Sequence, residues 1–288
     1  MKKNLIGLIG IALMLTACEK QVTDGVTNER QTQKVTFLVD GDFERPTFGD
    51  ITRAAVTADG KAMTDLYVLD YMDGVLVQQI HQTAEDEDFG EPTVILDYGQ
   101  HHVYFVCCRG KTPTLSTANH SIVWASPSDT FYKDYSVTVS GGTNTAHNVT
   151  LNRVATKLSI TINDELPEGL ACVELTPATW YYGIDYLTGQ PTDAQADEPL
   201  VINIPTSYIG RTATTISIFS LSTAAEWTTD IAITARDGDD DIIGQASITA
   251  APFKANRATS YDGNLFGSSS GFALSLNTAW DDEHTASW

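Results

Sequence analysis

The segment Ala155-Thr156-Lys157-Leu158-Ser159-Ile160-Thr161-Ile162 sets Leu158, Ile160 and Ile162 at every second position, with Ser159 and Thr161 between them. Successive side chains of a β-strand leave opposite faces, so this stretch predicts a strand with one apolar face for a core and one polar face for water. Short runs of the same kind follow it at 172–175, 200–204, 214–219, 230–234, 242–249 and 272–276, and precede it at 34–39, 65–70, 74–80, 93–98, 102–108, 121–125, 135–139 and 147–151. Asp73-Gly74 between two of these runs predicts a hairpin, because both residues tolerate the positive φ that a tight two-residue turn requires. Runs this short, rich in Val, Ile, Thr and aromatic residues and separated by turn residues, predict an all-β protein of sandwich type. A boundary near 149–152 divides them into two comparable sets, giving β-sandwich domains over 34–149 and 150–288.

Ahead of the strands, Lys2 and Lys3 precede an apolar stretch from Leu5 to Leu15, the layout of a signal peptide over residues 1–17. That stretch is shorter than the roughly 20 apolar residues of a membrane span. Leu15-Thr16-Ala17-Cys18 then resembles a bacterial lipobox, which makes Cys18 the expected lipidation site and outer-membrane lipid an expected partner through its acyl chains. Residues 18–33 are polar and aperiodic, as a tether would be.

The 288-residue chain carries 37 acidic and 17 basic side chains, a formal charge of -20, and this repels nucleic acid and anionic lipid alike. With Cys18 acylated, Cys107, Cys108 and Cys172 remain, an odd number that cannot pair completely. Cys107 and Cys108 end a strand-like run, so one is expected inside and the other on the far face; His101 and His102 nearby leave metal binding as a lesser alternative to buried thiols. No nucleophile elbow, zinc-protease helix, phosphate loop or dinucleotide fingerprint occurs in the chain, and the reading is of a non-enzyme that calls for no cofactor and no metal. Asp237-Gly238-Asp239-Asp240-Asp241 and Glu85-Asp86-Glu87-Asp88 offer oxygen ligands for Ca2+, but the spacing is not that of a twelve-residue calcium loop, and a solvated turn is the expectation for both. Trp180, Tyr181, Tyr182 and Tyr186 form an aromatic cluster that suits either stacking against a sugar or partner protein, or plugging one end of the second sandwich.

Residues 149–162, with Arg153-Val154-Ala155-Thr156-Lys157 at their centre, resemble the start of the carboxyl-terminal domain of Bacteroidales fimbrillin-like proteins. The Leu66–Ile80 hairpin, Thr52-Arg53-Ala54, Asn256-Arg257-Ala258-Thr259 and Gly263-Asn264-Leu265-Phe266 join the match in order, and the whole is most similar to the Mfa2-like fimbrial anchor group. The resemblance implies two transthyretin-like sandwiches, a surface location on the outer membrane and assembly with fimbrillin or accessory pilus subunits by β-strand complementation. It also implies Arg53 as a processing position, Phe37 and Val39 on an early strand retained or removed, and Phe272, Leu274 and Leu276 as groove-filling residues. A fimbrial stalk or tip subunit, and a lipid-tethered module that binds a host or bacterial surface glycan, stand as the alternative roles.

Overall fold

In the computed structural model, the described residues are 30–41, 51–52, 63–110, 112–142, 145–267 and 271–275. The segment read as a signal peptide, Cys18, most of the segment read as a tether, and Arg53 lie outside them. The chain is all-β. The first half supplies β1 (Thr32–Gly41), the two-residue β2 (Ile51–Thr52), β3 (Asp65–Met72), β4 (Val75–Thr83), β5 (Thr93–Asp97), β6 (Gly99–Cys108), β7 (Thr114–Ser116), β8 (Ser121–Val123), β9 (Thr130–Val139) and β10 (Ala146–Arg153). The second half supplies β11 (Ala155–Ile162), β12 (Leu170–Pro177), β13 (Trp180–Asp185), β14 (Gln190–Gln195), β15 (Leu200–Asn203), β16 (Thr214–Leu221), β17 (Trp227–Asp237), β18 (Ile242–Phe253), β19 (Ala258–Asn264) and β20 (Gly271–Ser275).

A seven-stranded sheet in the order β4-β3-β6-β9-β10-β1-β5 carries the first core on its inner face. Val35 and Phe37 of β1, Leu66 of β3, Leu96 of β5, Phe105 of β6 and Val149 of β10 meet in one cluster. Since all six belong to the same sheet, it must curl on itself to bring them together. The β3–β4 hairpin turns at Asp73 and Gly74, with φ of 52° and 77°, the turn that the Asp-Gly pair predicts. The second core lies between the sheets β2-β16-β11-β19-β20 and β15-β12-β17-β18, and Leu158, Ile160 and Ile162 of β11 point into it. The other face of β11 is also covered: Ser159 is buried, and hydroxyl pairs with Ser217 (3.0 Å) and, for Thr161, with Thr215 (2.9 Å) take the place that water was expected to fill.

A third cluster explains the two adjacent cysteines. β8 pairs with β13, and Ile122, Trp124, Ile184 and Tyr186 cover the outer face of β3 and β6. Cys107 therefore enters the first core while Cys108 enters the cluster on the opposite face, and both are buried. The neighbouring histidines likewise diverge. His101 is fully buried with Nδ1 2.9 Å from Asp70 Oδ1, and its Nε2 donates to the Asp97 carbonyl at 2.8 Å; His102 faces outward, 3.2 Å from Ser136 Oγ. They cannot close on one ion. Burial pushes the Cys107 and Cys108 thiols far up, whereas half-buried Cys172 is raised by partial desolvation and by Glu174, with Arg236 opposing.

The two cores meet at a buried cation. Arg153, the last residue of β10, donates from Nε to Asp129 Oδ1 (2.7 Å), from Nη2 to Asp129 Oδ2 (3.3 Å) and from Nη1 to Asn256 Oδ1 (3.0 Å), and it lies 4.6 Å from the centre of the Phe131 ring. β11 begins two residues later, after Val154.

Two outcomes follow from this packing. Arg153→Met is expected to destabilise the fold by about 3–5 kcal/mol in urea titration, because it removes the closer, two-bond partner of buried Asp129 and leaves that carboxylate with Arg109 Nε at 3.5 Å, while Arg153→Met with Asp129→Leu recovers part of the loss. Iodoacetamide at pH 8 is expected to modify Cys172 first, and more slowly than a free thiol since its raised pKa lowers the thiolate fraction; peptide mass spectrometry should find Cys107 and Cys108 modified only after unfolding.

Candidate functional site

β1 is an interior strand, and the site is the slot that it fills. It runs parallel to β10, with Thr36 opposite Ala146 through to Gly41 opposite Leu151, and antiparallel to β5, with Thr32 opposite Asp97 through to Thr36 opposite Thr93. Alternation decides what each residue does. Val35 and Phe37 are 0% exposed, Val39 is half-buried, and Lys34, Leu38 and Asp40 face outward. The Phe37 ring meets Phe105 edge-on at 5.2 Å and 73°, and Tyr135 and His147 flank it at 6.0 Å each. Thr36 and Thr93 pair their hydroxyls across the ladder at 2.9 Å.

Past Thr36 the β5 side of this ladder becomes a loop. Phe37 N–H donates to the Pro92 carbonyl at 3.0 Å and Val39 N–H to the Gly90 carbonyl at 2.8 Å, while Thr36 N–H donates to Thr145 on the β10 side at 2.7 Å. Buried Gln82 holds that loop: its Nε2 donates to the Asp88 carbonyl (2.9 Å) and its Oε1 accepts from Gly90 N–H (3.1 Å). The acidic run Glu85–Asp88 is the turn of this loop, with Asp86 Oδ2 accepting from Thr83 N–H at 2.6 Å. Among the described residues no three His, Cys, Asp or Glu side chains gather as metal ligands, and Asp237 spends Oδ1 on the N–H groups of Asp239 and Asp241 in the β17–β18 turn.

The residues expected for strand exchange do not meet. Phe37 and Val39 belong to the seven-stranded sheet, whereas Phe272 and Leu274 lie on β20, at the edge of the β2-β16-β11-β19-β20 sheet, opposite Gly263 and Tyr261 of β19; Leu276 falls outside the described residues. Of the aromatic cluster, Trp180, Tyr181 and Tyr182 lie on β13 and Tyr186 follows it in the turn. Trp180 is buried, donates from Nε1 to the Phe219 carbonyl at 2.8 Å and packs edge-on against Phe253 at 5.3 Å. Tyr182 is buried in the same core. Tyr186 is fully buried with its hydroxyl 2.9 Å from that of Tyr71, and desolvation holds its phenol well above the usual range. Of the four, Tyr181 is the one left half-exposed. The resemblance pointed to Phe37 and Val39 but passed over Val35, Gln82 and Gly90: the first was absorbed in a run read only for its strand type, and the others act through hydrogen bonds that no local pattern announces.

The fold is similar to that of a known structure. A putative adhesin from Bacteroides ovatus superposes with a TM-score of 0.51 over 88% of this chain and 96% of its own, at 10% identity. A fimbrial assembly protein from Parabacteroides distasonis aligns at 0.45 and 12% identity over 88% of this chain and 98% of its own, and the tip fimbrial protein Mfa3 from Porphyromonas gingivalis at 0.43 and 14% identity over 85% and 100%. No protein-family model matches the chain, and no curated protein matches it.

Phe37→Ala is expected to cost about 3–5 kcal/mol in equilibrium unfolding, since it empties the slot's deepest position, whereas Leu38→Ala on the outward face should change stability by about 0.5 kcal/mol or less.

Proposed function

We propose that the protein is a surface fimbrial anchor or accessory subunit that assembles by β-strand complementation and is held at the outer membrane by acyl chains on Cys18. The observation that carries this reading is the position of β1 in both sheet and chain. It lies in the sheet interior, and it joins the body that it completes through residues 42–62, a segment that contains Arg53. A cut after Arg53 would leave β1, together with β2 beside β16, bound by hydrogen bonds and burial alone. Its loss would open a slot with unpaired N–H and C=O groups on β10 and β5 and apolar sockets for a strand from another subunit. In the anchor reading Arg53 stays uncut and β1 is retained; in the stalk reading it is cut.

The two sequence-defined regions 34–149 and 150–288 would act as transthyretin-like domains, an assignment supported by the separate cores. The description of the Bacteroides ovatus relative as an adhesin agrees with a surface role. Trp180, Tyr182 and Tyr186 are core, which favours assembly over glycan binding at that cluster.

Crosslinking on intact cells, followed by intact-mass and peptide mass spectrometry, tests the proposal. Acylated Cys18, an uncut Arg53 and crosslinks to a fimbrillin are expected. A terminus at Ala54 with repeated self-contacts would make the chain a stalk subunit, and an acylated chain with no fimbrial neighbours would overturn the pilus reading.

A further inference from the structure

The slot is longer than the strand β5 that walls it. β5 faces β1 only as far as Thr36, so Phe37 and Val39 would present their N–H groups to solvent if nothing continued the wall. The β4–β5 connection continues it. The Pro92 and Gly90 carbonyls stand two residues apart, the spacing at which a strand presents N–H groups on one side, and they take the Phe37 and Val39 donors in turn. A loop carbonyl can ordinarily rotate away. Here the Gln82 amide, 5% exposed, uses both its ends on the loop, and Gly90 adopts φ +90°, the left-handed region that favours glycine.

We infer that this Gln82-fixed loop is the terminal half of the strand-accepting slot, and that Gln82 is a positioning residue that determines which strand of a partner subunit can replace β1. The inference rests on strand complementation at this slot, and it applies to the retained β1 of an anchor as the occupant the slot selects and to a partner's strand where Arg53 is cut. The occupant it specifies is a β-strand with apolar residues where β1 has Val35, Phe37 and Val39, and with free N–H groups at the last two of these positions. Proline at either position is excluded because it has no N–H to give. A strand that satisfied only β5 and β10 would leave two fixed acceptors unpaired beside a core, so the loop discriminates by the cost of leaving them unmet.

The test uses the full chain carrying one protease site between residues 53 and 62, cut so that β1 stays bound. Synthetic strands of residues 30–41, unmodified or N-methylated at Val39 or at Thr36, compete for the slot, and native mass spectrometry reads the occupancy. N-methylation at Val39 is expected to weaken competition by about tenfold, as is N-methylation at Thr36 on the β10 side. In Gln82→Met the Val39 penalty should fall to about twofold or less while the Thr36 penalty stays, a coupling that a general loss of stability would not produce. A silent Val39 methyl in the unaltered chain, or an unchanged penalty in Gln82→Met, would overturn the inference. Should Gln82→Met fail to fold, amide exchange in the intact chain decides: Phe37 and Val39 are expected to be protected as strongly as Thr36, and loop-like exchange at both would overturn it. Failure of the pilus proposal looks different, namely a discriminating slot in a chain without fimbrial neighbours.

Discussion

A buried guanidinium must be paired, and the pairing of Arg153 ties together segments far apart in sequence. Asp129 comes from the connection into β9, Phe131 from β9 itself and Asn256 from the turn between β18 and β19. Losing the Asp129 carboxylate would leave the guanidinium in a poorly solvated site without its counter-charge, at a cost of several kcal/mol. Asn256 adds its own constraint, since it holds φ 57° and donates its N–H to the Ala155 carbonyl at 2.9 Å. Next to it, Thr156 Oγ1 and Lys157 N–H both donate to the Arg257 carbonyl. The Arg153–Lys157 and Asn256–Thr259 motifs are thus one structural unit, which gives a physical reason for their occurring together. Because β10 hands over to β11 across Val154 alone, this unit also sets how the strand beside β1 enters the second core.

What the sequence revealed, and what it hid, divides along the range of the interactions. The β11 alternation, the Asp73-Gly74 hairpin and the Asp237–Asp241 turn are local: each is dictated by side-chain period or by backbone φ within a few residues. β13 was hidden because Trp180-Tyr181-Tyr182 is a run of aromatics with no polar partner to mark a period, and its strand character comes from pairing with β8 and β14. β7, β14 and β19 are short or polar, and their partners supply what their own residues do not. The burial of Cys108 depends on β8 and β13 lying over β6, a long-range event that no spacing near residue 108 encodes. In the slot itself, Phe37 was visible as an apolar strand residue, but its role follows from β1 lying between β5 and β10, and a parallel pairing across more than a hundred residues leaves no local trace.

β1 presents two properties that pull against each other. It is held as firmly as any core strand, by two ladders and by the burial of Val35 and Phe37, each worth about 1.5–3 kcal/mol. Yet it is the first of the described strands and joins the rest of the sheets through residues 42–62. Firm burial means that an empty slot would be too costly to persist, so any replacement of β1 would have to proceed with incoming and outgoing strands sharing the sheet. The two ends of the slot are unequal in this respect. From Thr32 to Val35 the strand is paired with β5 alone, while from Thr36 to Gly41 β10 adds a second ladder and the Pro92 and Gly90 carbonyls continue the other wall. Displacement of β1 would therefore begin most cheaply at the Thr32 end, whereas a cut after Arg53 would free the opposite end, where the strand is held on both sides.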